Sequence, residues 1–262
     1  TFASENFNTV LYTGNGSTQR IGGYINRGAV FNGSTSYITI PNIDIFTNTE
    51  QVSFSISCWF RTSDTGNGVI ATDYPGANYS FYLSIESGIL KSGSYYVNTP
   101  QSASGTTTVN DGNWHHVVII NNASDNTQKV YLDGNSTPEI SASLTNGAKS
   151  TSTLVIGYFS GLSNYYFNGV IDQFRIFNKV LSTTEITTLY GETFASTTIS
   201  TTDIFDDNSG VALYQLDGNA NDTGGVSGRL AGTESAIFSN SNSNFNLGTA
   251  TVINNNFGIS FW

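Results

Sequence analysis

Two Asp-Gly dipeptides, Asp111-Gly112 and Asp133-Gly134, flank a pair of apolar segments at residues 114–120 and 129–132. Asp-Gly supplies the positive-φ positions that tight turns need, and each neighbouring run is β-branched and short enough for one strand. The stretch therefore reads as two strands and two turns. Segments of the same kind recur along the chain, at residues 24–31, 36–40, 52–60, 68–72, 79–85, 89–96, 128–132, 154–158 and 167–177. In the segment at 52–60, alternation puts Phe54, Ile56 and Cys58 on one face and Ser53, Ser55, Ser57 and Trp59 on the other, so Trp59 needs cover of its own. One helix is predicted, at 182–190, where Ser182 and Glu185 form a capping box, Ile186, Leu189 and Tyr190 share a face, and Gly191 ends the turn. It is expected as a lid, not a site.

Short strands at roughly ten-residue spacing imply an all-β chain built as an antiparallel sandwich or barrel. An internal repeat divides it. Thr1-Phe2-Ala3-Ser4 recurs as Thr193-Phe194-Ala195-Ser196, and Val10-Leu11-Tyr12 recurs as Ala212-Leu213-Tyr214, an offset of 214 − 12 = 202. Ala29-Val30-Phe31 returns as Ala236-Ile237-Phe238, and Phe54-x-Ile56-Ser57-x-Trp59 as Phe257-x-Ile259-Ser260-x-Trp262. The expected organisation is an N-terminal segment and linker at 1–23, a complete sandwich at 24–190, a linker at 191–208 and the opening strands of a second unit at 209–262. Thr1 is expected to be a cut end, and half a sandwich at 209–262 is expected to need completion, because it would leave sheet edges unpaired.

Nine basic against 19 acidic residues give a net charge of −10, and without a Lys/Arg cluster a nucleic-acid partner is not expected. No apolar run is long enough to cross a membrane as a helix, so membrane insertion is not expected either. The single cysteine, Cys58, lies in an apolar strand, which excludes an intrachain disulfide and predicts a buried thiol.

The order of motifs is specific. Asp111-Gly112-x-Trp114-His115-His116-Val117 is followed by Val130-Tyr131-Leu132-Asp133-Gly134, then Leu154-x-Ile156-Gly157, then Phe167-x-Gly169-x-Ile171-Asp172-x-Phe174-Arg175-Ile176-Phe177-Asn178-x-x-Leu181-Ser182-x-x-Glu185-Ile186. This series resembles the concanavalin A-like lectin/glucanase superfamily in its laminin-G-like branch, over about residues 24–190. It implies a jelly-roll sandwich of two antiparallel sheets. Leu216-Asp217-Gly218-Asn219-Ala220-Asn221-Asp222 resembles the opening motif of such domains, and Phe7-Asn8-Thr9-Val10-Leu11-Tyr12-Thr13-Gly14-Asn15-Gly16 resembles segments of tail-fibre and other structural proteins of marine tailed phages, where tandem units of this family occur.

Some superfamily members are glycosidases, whose carboxylates alternate on one strand. That pattern is missing, since the strand holding Asp172 offers a single carboxylate and Glu50, Asp64, Asp73, Glu86, Asp125 and Glu139 fall singly, so the chain is not expected to be an enzyme. His115 and His116 must point to opposite faces of a strand, which prevents joint chelation, and one is expected hydrogen-bonded in the core and the other at the surface. The resemblance implies a structural Ca²⁺ between an opening loop and the aspartate of the Ile-Asp motif, because a hard cation wants oxygens from several loops. The candidates are Asp172 in the first unit and Asp217, Asn219, Asn221 and Asp222 in the second, with turn capping as the plain alternative for Asp172.

Glycan binding needs aromatic rings for stacking beside Asn, Asp or backbone groups. Asp73, Tyr74, Asn78, Tyr95, Tyr96 and Tyr165 are the candidates, with packing at a sheet edge or subunit contact as the alternative. The resemblance implies a non-catalytic, lectin-like module in a virion protein such as a tail fibre, extracellular on the particle, a homo-oligomer within the fibre, whose partner is a host-surface glycan or receptor. Two alternatives are a structural or decoration module that binds other virion proteins, and a carbohydrate-binding accessory domain of a secreted enzyme.

Overall fold

The computed structural model describes residues 23–25, 28–40, 52–73, 79–96, 99–143, 153–159, 165–192 and 204–216. Two antiparallel sheets face each other. One has the strand order β1 (Ala29–Asn32), β14 (Asn168–Phe177), β3 (Phe54–Arg61), β8 (Trp114–Asn122), β9 (Thr127–Leu132), β10 (Ile140–Ser143), with β15 (Gly210–Tyr214) also paired to β14. The other has the order β2 (Ile38–Ile40), β11 (Leu154–Ile156), β4 (Gly68–Thr72), β5 (Tyr79–Glu86), β6 (Ile89–Tyr96), β7 (Thr99–Thr108), and a two-stranded ribbon pairs β12 (Tyr158–Phe159) with β13 (Tyr165–Tyr166). This is the expected jelly-roll sandwich.

The alternation in β3 fixes both of its neighbourhoods. Phe54, Ile56, Cys58 and Phe60 point between the sheets, into a core that includes Phe31, Phe81, Leu83, Val117, Ile119, Phe167 and Phe174. On the other face, Trp59 stacks on Tyr24 at 3.4 Å between ring centroids and on Tyr190 at 5.4 Å, which is the cover its position demanded. The helix α1 (Thr183–Tyr190) lies over this outer face and buries Ile186 and Leu189 against Val118, Ile120, Tyr131 and Phe177. Its capping box forms as the sequence predicts, with Ser182 accepting from the Glu185 amide and the Glu185 carboxylate accepting from the Ser182 amide.

Strands β7, β10 and β13 fall outside the expected segments. The polar strand β7 carries no apolar alternation, yet β6 gives it a backbone ladder and the Glu139 carboxylate accepts the Thr106 and Thr107 amides at its end. Residues 210–214, expected as the start of a second unit, pair with residues 174–177 of β14, and Ala212, Tyr214 and Leu216 enter the core of the first sandwich. An open stretch of β14 edge demands a partner strand, and this one supplies it. The remainder of the expected second unit, from Asp217 onward, and the segment 1–22 lie outside the described residues.

Candidate functional site

The two Asp-Gly turns, the end of β3 and the start of β14 meet at one end of the sandwich. There the β3–β4 loop is held from several sides. The Gly112 amide donates to the Thr62 carbonyl at 2.9 Å, Thr62 Oγ1 donates to the Asn168 carbonyl at 2.6 Å, and Asn110 Nδ2 donates to the Asp64 carbonyl at 3.0 Å. Between loop and strand lies a cleft of about 410 Å³, lined by residues 61–65, Gly112 and residues 168–170. Its wall needs Gly169, because a Cβ there would sit 2.3 Å from the Arg61 carbonyl oxygen.

The lining is polar, with one organised cation. The Arg61 guanidinium lies 5.0 Å from the centroid of the half-buried Trp114 ring, and Tyr24 meets that ring edge-on at 6.2 Å. A guanidinium held over an indole is pre-oriented to donate in a plane. Together with the Thr62 and Ser63 hydroxyls, the Asn168 amide and the single carboxylate of Asp64, this set suits a hydroxyl-rich or anionic ligand. The volume falls in the range of ordinary ligand sites.

Both histidines are buried, which corrects the expectation that one would be at the surface. His115 is 8% exposed and bridges the two Asp-Gly turns, with Nδ1 2.8 Å from Asp133 Oδ2 and Nε2 3.2 Å from Asp111 Oδ1. These partners, Asp133 first, hold its proton above the ordinary imidazole value. His116 is 1% exposed on the helix side, 2.8 Å from Ser57 Oγ, and burial pushes its pKa down to about 3. The Ser57–His116 pair looks like part of a nucleophilic dyad. However, both residues are buried outside the cleft, and His116 Nδ1 has no hydrogen-bond partner to orient it among the described residues.

The residues picked for glycan binding do not form one group. Asp73 is 2% exposed at the far end of β4, where Oδ1 accepts the Phe81 amide at 3.0 Å and braces β5. Tyr95 and Tyr96 lie in β6 towards that same end, and Tyr74 and Asn78 fall outside the described residues. Tyr165 stands at the opposite end, where Asn67 Nδ2 donates to its hydroxyl at 3.0 Å from the cleft-side loop. It adjoins a half-buried ring ledge in which Tyr166 stacks on Tyr158 at 4.2 Å and Tyr158 meets Tyr37 at 5.4 Å.

For calcium, Asp172 is fully buried, with Oδ2 accepting the Ile25 amide at 2.9 Å and Oδ1 the Gln173 amide at 2.7 Å. Among the described residues no three His, Cys, Asp or Glu side chains gather. Asp217, Asn219, Asn221 and Asp222 lie outside the described residues. Arg61 and Trp114 were missed from the sequence. A signal existed, in that Arg61 is one of nine basic residues and ends an otherwise uncharged strand.

A family model of the concanavalin A-like lectin/glucanases superfamily matches residues 32–187, more than half of the chain. Among solved structures, the binding domain of Paraclostridial Mosquitocidal Protein 1 is similar, with a TM-score of 0.55 and 18% identity over 66% of this chain and 45% of that one. The receptor binding domain of botulinum neurotoxin D is similar with a TM-score of 0.52 and 20% identity, over 66% and 46%. This chain thus spans less than half the length of those structures, and at such identities the likeness is one of fold.

Proposed function

The chain belongs to the concanavalin A-like lectin/glucanases superfamily, and from that premise we propose that it is a non-catalytic module that binds a host-surface glycan or glycosylated receptor, carried on a virion protein such as a tail fibre. The observation that carries the binding half is the cleft lined by Arg61, where planar donors and hydroxyls converge and the Trp114 ring holds the guanidinium. Two solved structures of similar fold are named as binding domains, which agrees with this reading.

The non-catalytic half rests on the carboxylates. Glycoside hydrolysis by the usual route needs two, about 5–10 Å apart, and among the described residues lining the cleft Asp64 is the one carboxylate. The virion half rests on the likeness of residues 7–16 to phage tail-fibre segments and on the internal repeat. Gold-labelled antibody against the chain should mark the tips or shafts of native particles. Label confined to secreted, particle-free material would favour an accessory domain of an enzyme instead.

A further inference from the structure

Strand β14 is paired along one edge by β3, while two short strands share its other edge end to end. β1 lies opposite residues 168–171 and β15 opposite residues 174–177. They part at Asp172 and Gln173, where Gln173 takes a φ of +48° and the β3–β14 register shifts. The second seat is deeply filled, since Ala212, Leu213 and Tyr214 are each 1% exposed or less.

The occupant belongs, by sequence, to the next copy. Ala212-Leu213-Tyr214 repeats Val10-Leu11-Tyr12, so the chain carries two segments of one pattern, and the later one is paired to β14. Its approach is also built. The Asn178 amide donates to the Ser209 carbonyl at 2.9 Å, Phe205 packs on Phe177 at 5.5 Å, and Lys179 bridges Glu185 and Asp207 while its ammonium lies 4.6 Å from the Phe205 ring centroid.

We propose that tandem copies in this protein are joined by strand hand-over: the β14 edge at residues 174–177 is an interaction surface whose partner is the opening strand of the following copy. A main-chain ladder gives the joint its strength, while the Leu-Tyr pattern and Phe205 give it register and preference. Units coupled in this way share a sheet and do not swing on a free linker.

Hydrogen exchange of the intact chain, read by mass spectrometry on peptides covering residues 8–13 and 209–216, tests this. Backbone amides at 211–214 should exchange at least about a hundredfold more slowly than an unstructured peptide, and more slowly than those at 10–12. Leu213→Asp should lower the Tm of the sandwich, and Leu11→Asp should leave it unchanged. Protection at 10–12, or fast exchange at 211–214, overturns the proposal, as does a Tm loss confined to Leu11→Asp.

Discussion

His115 Nδ1 lies 2.8 Å from Asp133 Oδ2, and through this contact one imidazole ties the turn after β9 to the turn before β8. The next residue, His116, has the opposite environment. Folding therefore shifts two adjacent histidines in opposite directions.

The expected result is a stability maximum near neutral pH. Because the folded value of His115 is raised, its contribution is fully present below the unfolded value of 6.5 and is lost as pH rises through the folded value. For His116, depressed to about 3, the unfolded chain takes up a proton below 6.5 that the folded chain refuses, so stability falls as pH drops from 6.5 towards 3. At ~1.4 kcal/mol per unit the acid loss amounts to several kcal/mol. A pH series of thermal melts checks it. His116→Gln should flatten the acid limb and His115→Gln the alkaline one, and a native melt that does not change between pH 6.5 and 3.5 would contradict both assignments.

Gly157→Ala should be among the most damaging single-methyl changes. Its φ is +86°, and a Cβ there would lie 2.4 Å from the Phe31 ring, which is packed edge-on against Phe167 in the core. Strain and overpacking together are worth roughly 2–4 kcal/mol. Urea denaturation should show the midpoint fall with the slope retained, and a change under 0.5 kcal/mol would mean the turn relaxes freely.

Asp172→Asn isolates the question of calcium. The carboxylate accepts the buried Ile25 and Gln173 amides, and the substitution should cost about 1–3 kcal/mol through those bonds alone. The loss should be the same with Ca²⁺ or with EDTA. A native Tm that falls on chelation, with the variant insensitive to it, would instead make Asp172 a cation ligand.

How much of this was legible in the sequence varied with the range of the forces involved. The β3 alternation and the Ser182 capping box are local, so Phe54, Ile56, Trp59 and Glu185 could be placed from spacing alone. β7 was not, because its residues are held by a backbone ladder with β6 and by Glu139, neither of which leaves an apolar pattern. The seat of β15 was also hidden, since the repeat identifies the strand but not which sandwich it completes. The cleft is assembled from loops about fifty residues apart or more, Arg61 meeting Trp114 and Thr62 meeting Asn168, and only tertiary pairing brings them together. The candidates chosen for aromatic content had no such constraint and are spread over both ends of β4.

Glycan binding at the Arg61 cleft is measured most directly by binding of the intact chain to an array of bacterial surface polysaccharides and of neutral and sialylated oligosaccharides. Saturable binding to one glycan class is expected, weakened at least about tenfold by Arg61→Ala and by Trp114→Ala in variants that keep the native melt. Silence across the array, or binding that both variants retain in full, would contradict it.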